Sequence, residues 1–193
     1  MKKIFLLALV LFLSISSVVL AHDDTNNKST NDTNYERGYI GFAGGLDLIT
    51  SSWNAAGVTY GSGGLADVFG GLQLDKSLSF QAEVENFIAE GTYATNIISQ
   101  YNLRGLIAVK YAFDVPVIQP YLLVGGGLVY SLLNQQVNVY TTSVNADALG
   151  GLGLQLQLSS ASYLFVEGRY NLILSSNTSL SDIPITAGIW TAF

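Results

Sequence analysis

Any chemistry in this chain must come from few side chains. Cysteine is absent and histidine occurs once, at His22. Disulfides, thiolate catalysis, thiolate metal sites and lipid attachment to an N-terminal Cys are therefore excluded. A Ser/His/Asp arrangement lacks a general base anywhere after His22, and metal ligation by imidazole fails for the same reason. What remains is a set of charges at short, even spacing: Glu83 and Glu85, Arg104 and Lys110, Glu167 and Arg169. Paired carboxylates can serve as acid and base, but carboxylates also neutralise cations set among apolar residues, where an unpaired charge is costly. The second role suits this chain, and neither enzyme activity nor a cofactor or metal is expected. The glycine clusters Gly125-Gly126-Gly127 and Gly150-Gly151-Leu152-Gly153 precede no helix whose N-terminus could hold a phosphate. They read as bends or close approaches within strands.

The elements that carry these charges have a period of two. Eight segments place apolar residues at alternate positions: 38 to 49, 64 to 74, 78 to 88, 101 to 113, 117 to 132, 146 to 158, 162 to 174 and 183 to 193. That pattern is a strand with two unlike faces. The connections after the second, fourth and sixth segments are short, whereas 49 to 63, 89 to 100, 133 to 145 and 175 to 182 are long. Such alternation gathers all tight turns at one end of an up-and-down meander and all large loops at the other. The fold class expected is all-β, an eight-stranded antiparallel up-and-down transmembrane barrel, since a tilted strand of about ten residues crosses a bilayer.

Segment 101 to 113, YNLRGLIAVKYAF, fixes the sidedness. Its odd positions, Tyr101 through Phe113, are apolar, glycine or aromatic, while Arg104 and Lys110 share the even face. Ten residues at about 3.3 Å each, tilted by about 40°, cover roughly 25 Å, the apolar band between the aromatic girdles of such barrels. Tyr101, Tyr111 and Phe113 then mark the girdle, and the cations point inward. In 78 to 88, Glu83 and Glu85 share a face with Gln81; in 162 to 174, Glu167 and Arg169 share one with Asn171. If the third and fourth segments pair so that position numbers sum to 189, Glu85 lies opposite Arg104. An interior network of Glu83, Glu85, Arg104, Lys110, Glu167 and Arg169 follows. A barrel of eight strands is only wide enough for side chains to fill, so open conductance is not expected.

Composition agrees. Charged residues are 11% of the chain and net charge is −6, too little charge to solvate the whole wall of a water-soluble barrel. A soluble lipocalin-like barrel also lacks support at the first strand, where Trp53 follows two serines rather than a Gly-x pair. Residues 1 to 21 have two lysines, an apolar run from Ile4 to Leu13 and a small residue at Ala21, the layout of a secretory signal peptide. Cleavage before His22 removes Lys2 and Lys3 and moves the net charge from −6 to −8, unsuited to nucleic acid. Residues 22 to 37 form a polar leader with no aliphatic side chain to bury. Its Asn-Lys-Ser and Asn-Asp-Thr triplets read as solvated tail rather than glycosylation sites. The barrel proper spans 38 to 193.

On YIGFAGG, PYLLVGGGLVY, LFVEGRYNL and a last strand ending in Phe193, the chain resembles the small eight-stranded outer-membrane barrels, the OmpA-like/OmpX-like porin-like group of Gram-negative bacteria. The resemblance implies export to the bacterial outer membrane, contact with its lipid and lipopolysaccharide, a monomeric state, and recognition of Phe193 by the barrel-assembly machinery. Thr191 stands where the group favours an aromatic or aliphatic residue. With the chain ending at Phe193, no peptidoglycan-binding domain is implied. The long connections, rich in Ser, Thr, Asn, Gln and aromatics, suit adhesion to a host, matrix or glycan ligand, and envelope integrity is the accompanying role. The alternative is a narrow pore or a lateral gate for small solutes.

Overall fold

The structure, a computed structural model, describes residues 37–50, 58–93, 96–135, 139–174 and 179–193. The expected signal peptide and leader lie outside the described residues, apart from Arg37. The described residues form nine strands: β1 Arg37–Ile49, β2 Val58–Tyr60, β3 Gly63–Gln73, β4 Leu78–Tyr93, β5 Asn96–Ala112, β6 Ile118–Gln135, β7 Val139–Gln157, β8 Ser162–Leu174 and β9 Ser179–Ala192. All pairings are antiparallel, and they run from neighbour to neighbour until β1 meets β9. That last pairing closes the sheet, so β1 and β3 to β9 each pair on two sides, while β2 and the far ends of β5 and β7 pair on one side only among the described residues.

Nine strands fill eight barrel positions. Partner numbers add to 151 where β2 meets β4 and to 152 where β3 meets β4. One extra residue has therefore been accommodated between Tyr60 and Leu65, as in a bulge. Glycines at 61, 63 and 64 make the local kink inexpensive. β2 lies in the expected connection 49 to 63, and it continues the barrel strand of β3 past one break.

Alternation of burial follows the alternation of sequence. Phe42, Val68, Ile107, Val124, Leu152, Val166 and Ile185 are exposed on the outer wall, while Tyr39, Phe69, Ala108, Leu123, Leu149 and Phe165 are buried inside. An apolar belt of this extent would be a serious aggregation hazard in water, and it is the surface hydrocarbon requires.

The loop end departs from expectation. Residues 89 to 100 and 133 to 145 were expected as loops, but β4 and β5 stay paired up to Tyr93 opposite Asn96, and β6 and β7 up to Gln135 opposite Val139. The Thr, Ser, Asn and Gln of these stretches do not keep a strict period-two pattern, yet the backbone pairs throughout. At the turn end the connections are short, as expected. Asp75 holds its turn by accepting from the Ser77 and Leu78 amides at 2.6 and 2.7 Å, a local device typical of Asp in turns.

The interior is layered. At the turn end Tyr39, Phe69, Tyr121, Phe165 and Trp190 pack together, with Tyr39 and Trp190 centroids 5.3 Å apart and Tyr163 stacked on Trp190 at 4.1 Å. Toward the loop end Leu65, Phe87, Val129 and Ile173 form a second apolar group, flanked by Ile49, Tyr60 and Leu180. The polar side chains lie between these groups. Close strand approach depends on glycine at several places, the β5–β6 contact among them. A Cβ on Gly127 would strike the Gly105 carbonyl, and one on Gly125 the Ile107 carbonyl, so β6 can approach β5 closely only without side chains there.

Candidate functional site in the barrel lumen

Arg104 is the centre of the upper charge group. Strand alternation turns it inward from β5, and the register sets it directly opposite Glu85 of β4. Its Nη1 donates to Glu85, its Nη2 donates to Asp182 Oδ2 at 2.7 Å, and its Nε lies 2.6 Å from Asp147 Oδ2. The guanidinium carbon also sits 4.5 Å from the centroid of the Phe87 ring. Three carboxylates from three different strands thus converge on one planar cation, the geometry for which Arg is suited and Lys is not. Arg104, Glu85 and Asp182 are all fully buried. Asn171 Nδ2 donates to the second oxygen of Asp182 at 2.8 Å.

Arg169 organises the lower group. It donates through Nε to Glu167 and through Nη1 to Glu83, and its Nη2 lies 3.7 Å from Asp67 Oδ2. Glu83 accepts from Gln81 Nε2 at 2.9 Å, and Gln81 in turn accepts from the Tyr39 hydroxyl at 3.0 Å. The hydrogen bonds therefore run from the aromatic layer into the charge layer.

Lys110 sits at the turn-end side of the charge layer. It is inside the barrel, but among the described residues it has no carboxylate within 4 Å. Its Nζ donates to Gln155 Oε1 at 2.7 Å and lies over the Tyr121 ring at 4.2 Å and the Trp190 ring at 5.2 Å. Aromatic faces flank the ammonium and attract it once desolvated, and Glu167 and Glu83 act on it from beyond ion-pair distance.

Asp182 was assigned from sequence to a loop, and Asp47, Asp67 and Asp147 were not singled out. All four face the lumen and are buried. Parity along the strand could have found them: Asp47 is in step with Tyr39 and Ala43, Asp67 with Leu65 and Phe69, Asp147 with Leu149. Of the girdle residues, Tyr101, Tyr111 and Phe113 are on the outer wall, the last two in edge-to-face contact at 5.3 Å. Phe193 donates its amide to the Gly38 carbonyl at 2.9 Å and leaves its ring exposed.

No protein-family model matches the chain, and no curated protein sequence does. Solved structures match its fold. Neisserial surface protein A has a TM-score of 0.62 at 18% identity, covering 81% of this chain and 97% of that one. The outer membrane protein OprG of Pseudomonas aeruginosa has a TM-score of 0.55 at 13% identity, covering 84% and 99%. Ail, the attachment invasion locus protein of Yersinia pestis, solved with the heparin analogue sucrose octasulfate, has a TM-score of 0.52 at 9% identity, covering 80% and 98%. With its closed meander and apolar wall, the chain has the fold of the small outer-membrane β-barrels of Gram-negative type.

Proposed function

We propose that this protein is a non-catalytic, monomeric, integral barrel of the bacterial outer membrane that supports envelope integrity or holds a ligand at the cell surface through its loop end. The burial of Arg104 between Glu85, Asp147 and Asp182, with apolar groups on both sides, carries this reading. It leaves the interior as filling rather than passage. The outer wall is in contact with lipid, with Tyr101, Tyr111 and Phe113 at its interfaces, and Phe193 offers the assembly machinery its terminal ring.

The chemistry of a surface ligand is constrained by charge. Ail was solved with a sulfated heparin analogue, but the loop end of this chain has no Lys, Arg or His in 49 to 64, 88 to 101, 132 to 146 or 174 to 181. A polyanion has nothing to pair with there. Neutral glycan or protein surfaces, met by hydroxyls, amides and aromatic rings, are the fitting partners. Planar-bilayer recording of the refolded protein is the test. Silence, together with binding of cells or matrix, supports the proposal, whereas stable unitary currents would refute it in favour of a narrow channel.

A further inference from the structure

The charges in the lumen do not balance. Asp47, Glu85, Asp147 and Asp182 surround Arg104, while Asp67, Glu83 and Glu167 surround Arg169, with Lys110 nearby; all ten are buried. Seven carboxylates thus face three cations. The rest of the barrel sequence cannot supply the difference. From 38 to 193 the one other basic residue is Lys76, in the turn after β3, and 51–57, 94–95, 136–138 and 175–178 contain no Lys, Arg or His. Arg37, which opens β1 opposite Gln73 at the turn end, is exposed.

The deficit is sharpest at Asp47. Its side chain is fully buried on the inner face of β1, and neither carboxylate oxygen has a hydrogen-bond partner among the described residues. The charged groups acting on it are Asp182, Arg104, Glu85 and Asp147, and the three nitrogens of Arg104 already face the other three. Repulsion from three carboxylates with no donor of its own is a poor environment for a buried anion.

We propose that the lumen beside Asp47 binds an inorganic cation of the alkali or alkaline-earth class, held by the Asp47 carboxylate and one neighbouring acidic side chain. Among the described residues no three His, Cys, Asp or Glu side chains form a ready-made cage. The donors at hand are carboxylate oxygens, with Cys absent and His22 the one histidine, and hard oxygen donors favour a hard cation that completes its shell with water over a transition metal.

The test uses the chain from His22 onward, refolded in detergent, as wild type and as Asp47→Asn. Unfolding midpoints are measured at fixed pH and ionic strength as N-methylglucamine is replaced by Na⁺ or, separately, by Ca²⁺. A bound cation raises the wild-type midpoint with its concentration; the variant should respond at least tenfold more weakly to the same cation. Equal responses in both proteins would reduce the effect to surface screening and overturn the proposal. So would a wild type indifferent to both cations whose midpoint rises instead as pH is lowered, since protons would then be the neutralising species. Should Asp47→Asn fail to fold, equilibrium dialysis of the wild type against Ca²⁺ and Na⁺ decides: saturable uptake of one ion per chain is expected, and none would refute it.

Discussion

Glu85 and Arg104 stand directly opposite each other across the β4–β5 pair, ion-paired and both without solvent exposure. The relationship joins the sequence to the fold. Turning both polar faces inward requires partner positions with an odd sum, the observed register has the sum 189, and a slip of one residue would drive Arg104 into hydrocarbon. The pair therefore holds the register as well as filling the lumen.

Removing the cation should cost far more than its charge count suggests. Arg104→Met leaves Glu85, Asp147 and Asp182 without their shared donor, and breaking a buried pair in this way costs about 3–5 kcal/mol. Urea unfolding of the refolded protein in lipid vesicles should show that loss. The double variant Arg104→Met with Glu85→Gln should recover part of it, because one stranded carboxylate is gone. A single-variant loss below about 1 kcal/mol, the scale of an exposed pair, would mean that the group is solvated after all.

Crowding at the β5–β6 contact gives a paired prediction. Gly127→Ala places a methyl against the Gly105 carbonyl, whereas Gly105→Ala meets nothing within 4 Å. The first should destabilise by about 1–3 kcal/mol, the usual cost of overpacking. The second, at an exposed site, should stay within about 0.5 kcal/mol. Equal effects would contradict the close approach of the two strands.

Much of this was legible in the sequence, and the failures have physical causes. The alternation in 101 to 113 located the outer wall, because a bilayer penalises any charge on it. Above the membrane that penalty disappears, so the extensions of β5 to β7 carry polar residues at both parities and read as loops. Asp182 read as loop for the same reason, since it sits only three residues from the start of β9. Two features leave little trace in a one-dimensional pattern. The extra residue between β2 and β3 shows only in the register, and the placement of Lys110 between Tyr121 and Trp190 depends on strands distant in sequence.

Val117, at the turn before β6, has φ of 74°. A β-branched residue is disfavoured in this left-handed region by about 1–2 kcal/mol. Val117→Asn, which tolerates that region better and sits on an exposed turn, should raise the unfolding free energy by about 1 kcal/mol. A loss of stability on this substitution would show that the valine side chain has a role that outweighs its backbone cost.

Ile107 tests the central claim most directly. It lies between Tyr101 and Tyr111 on the outer wall and is 67% exposed. Ile107→Arg should lower the unfolding free energy measured in phospholipid vesicles by about 2–4 kcal/mol, the cost of a cation near the bilayer midplane. A change within about 0.5 kcal/mol, as expected at a site facing water, would contradict a barrel whose apolar wall meets lipid.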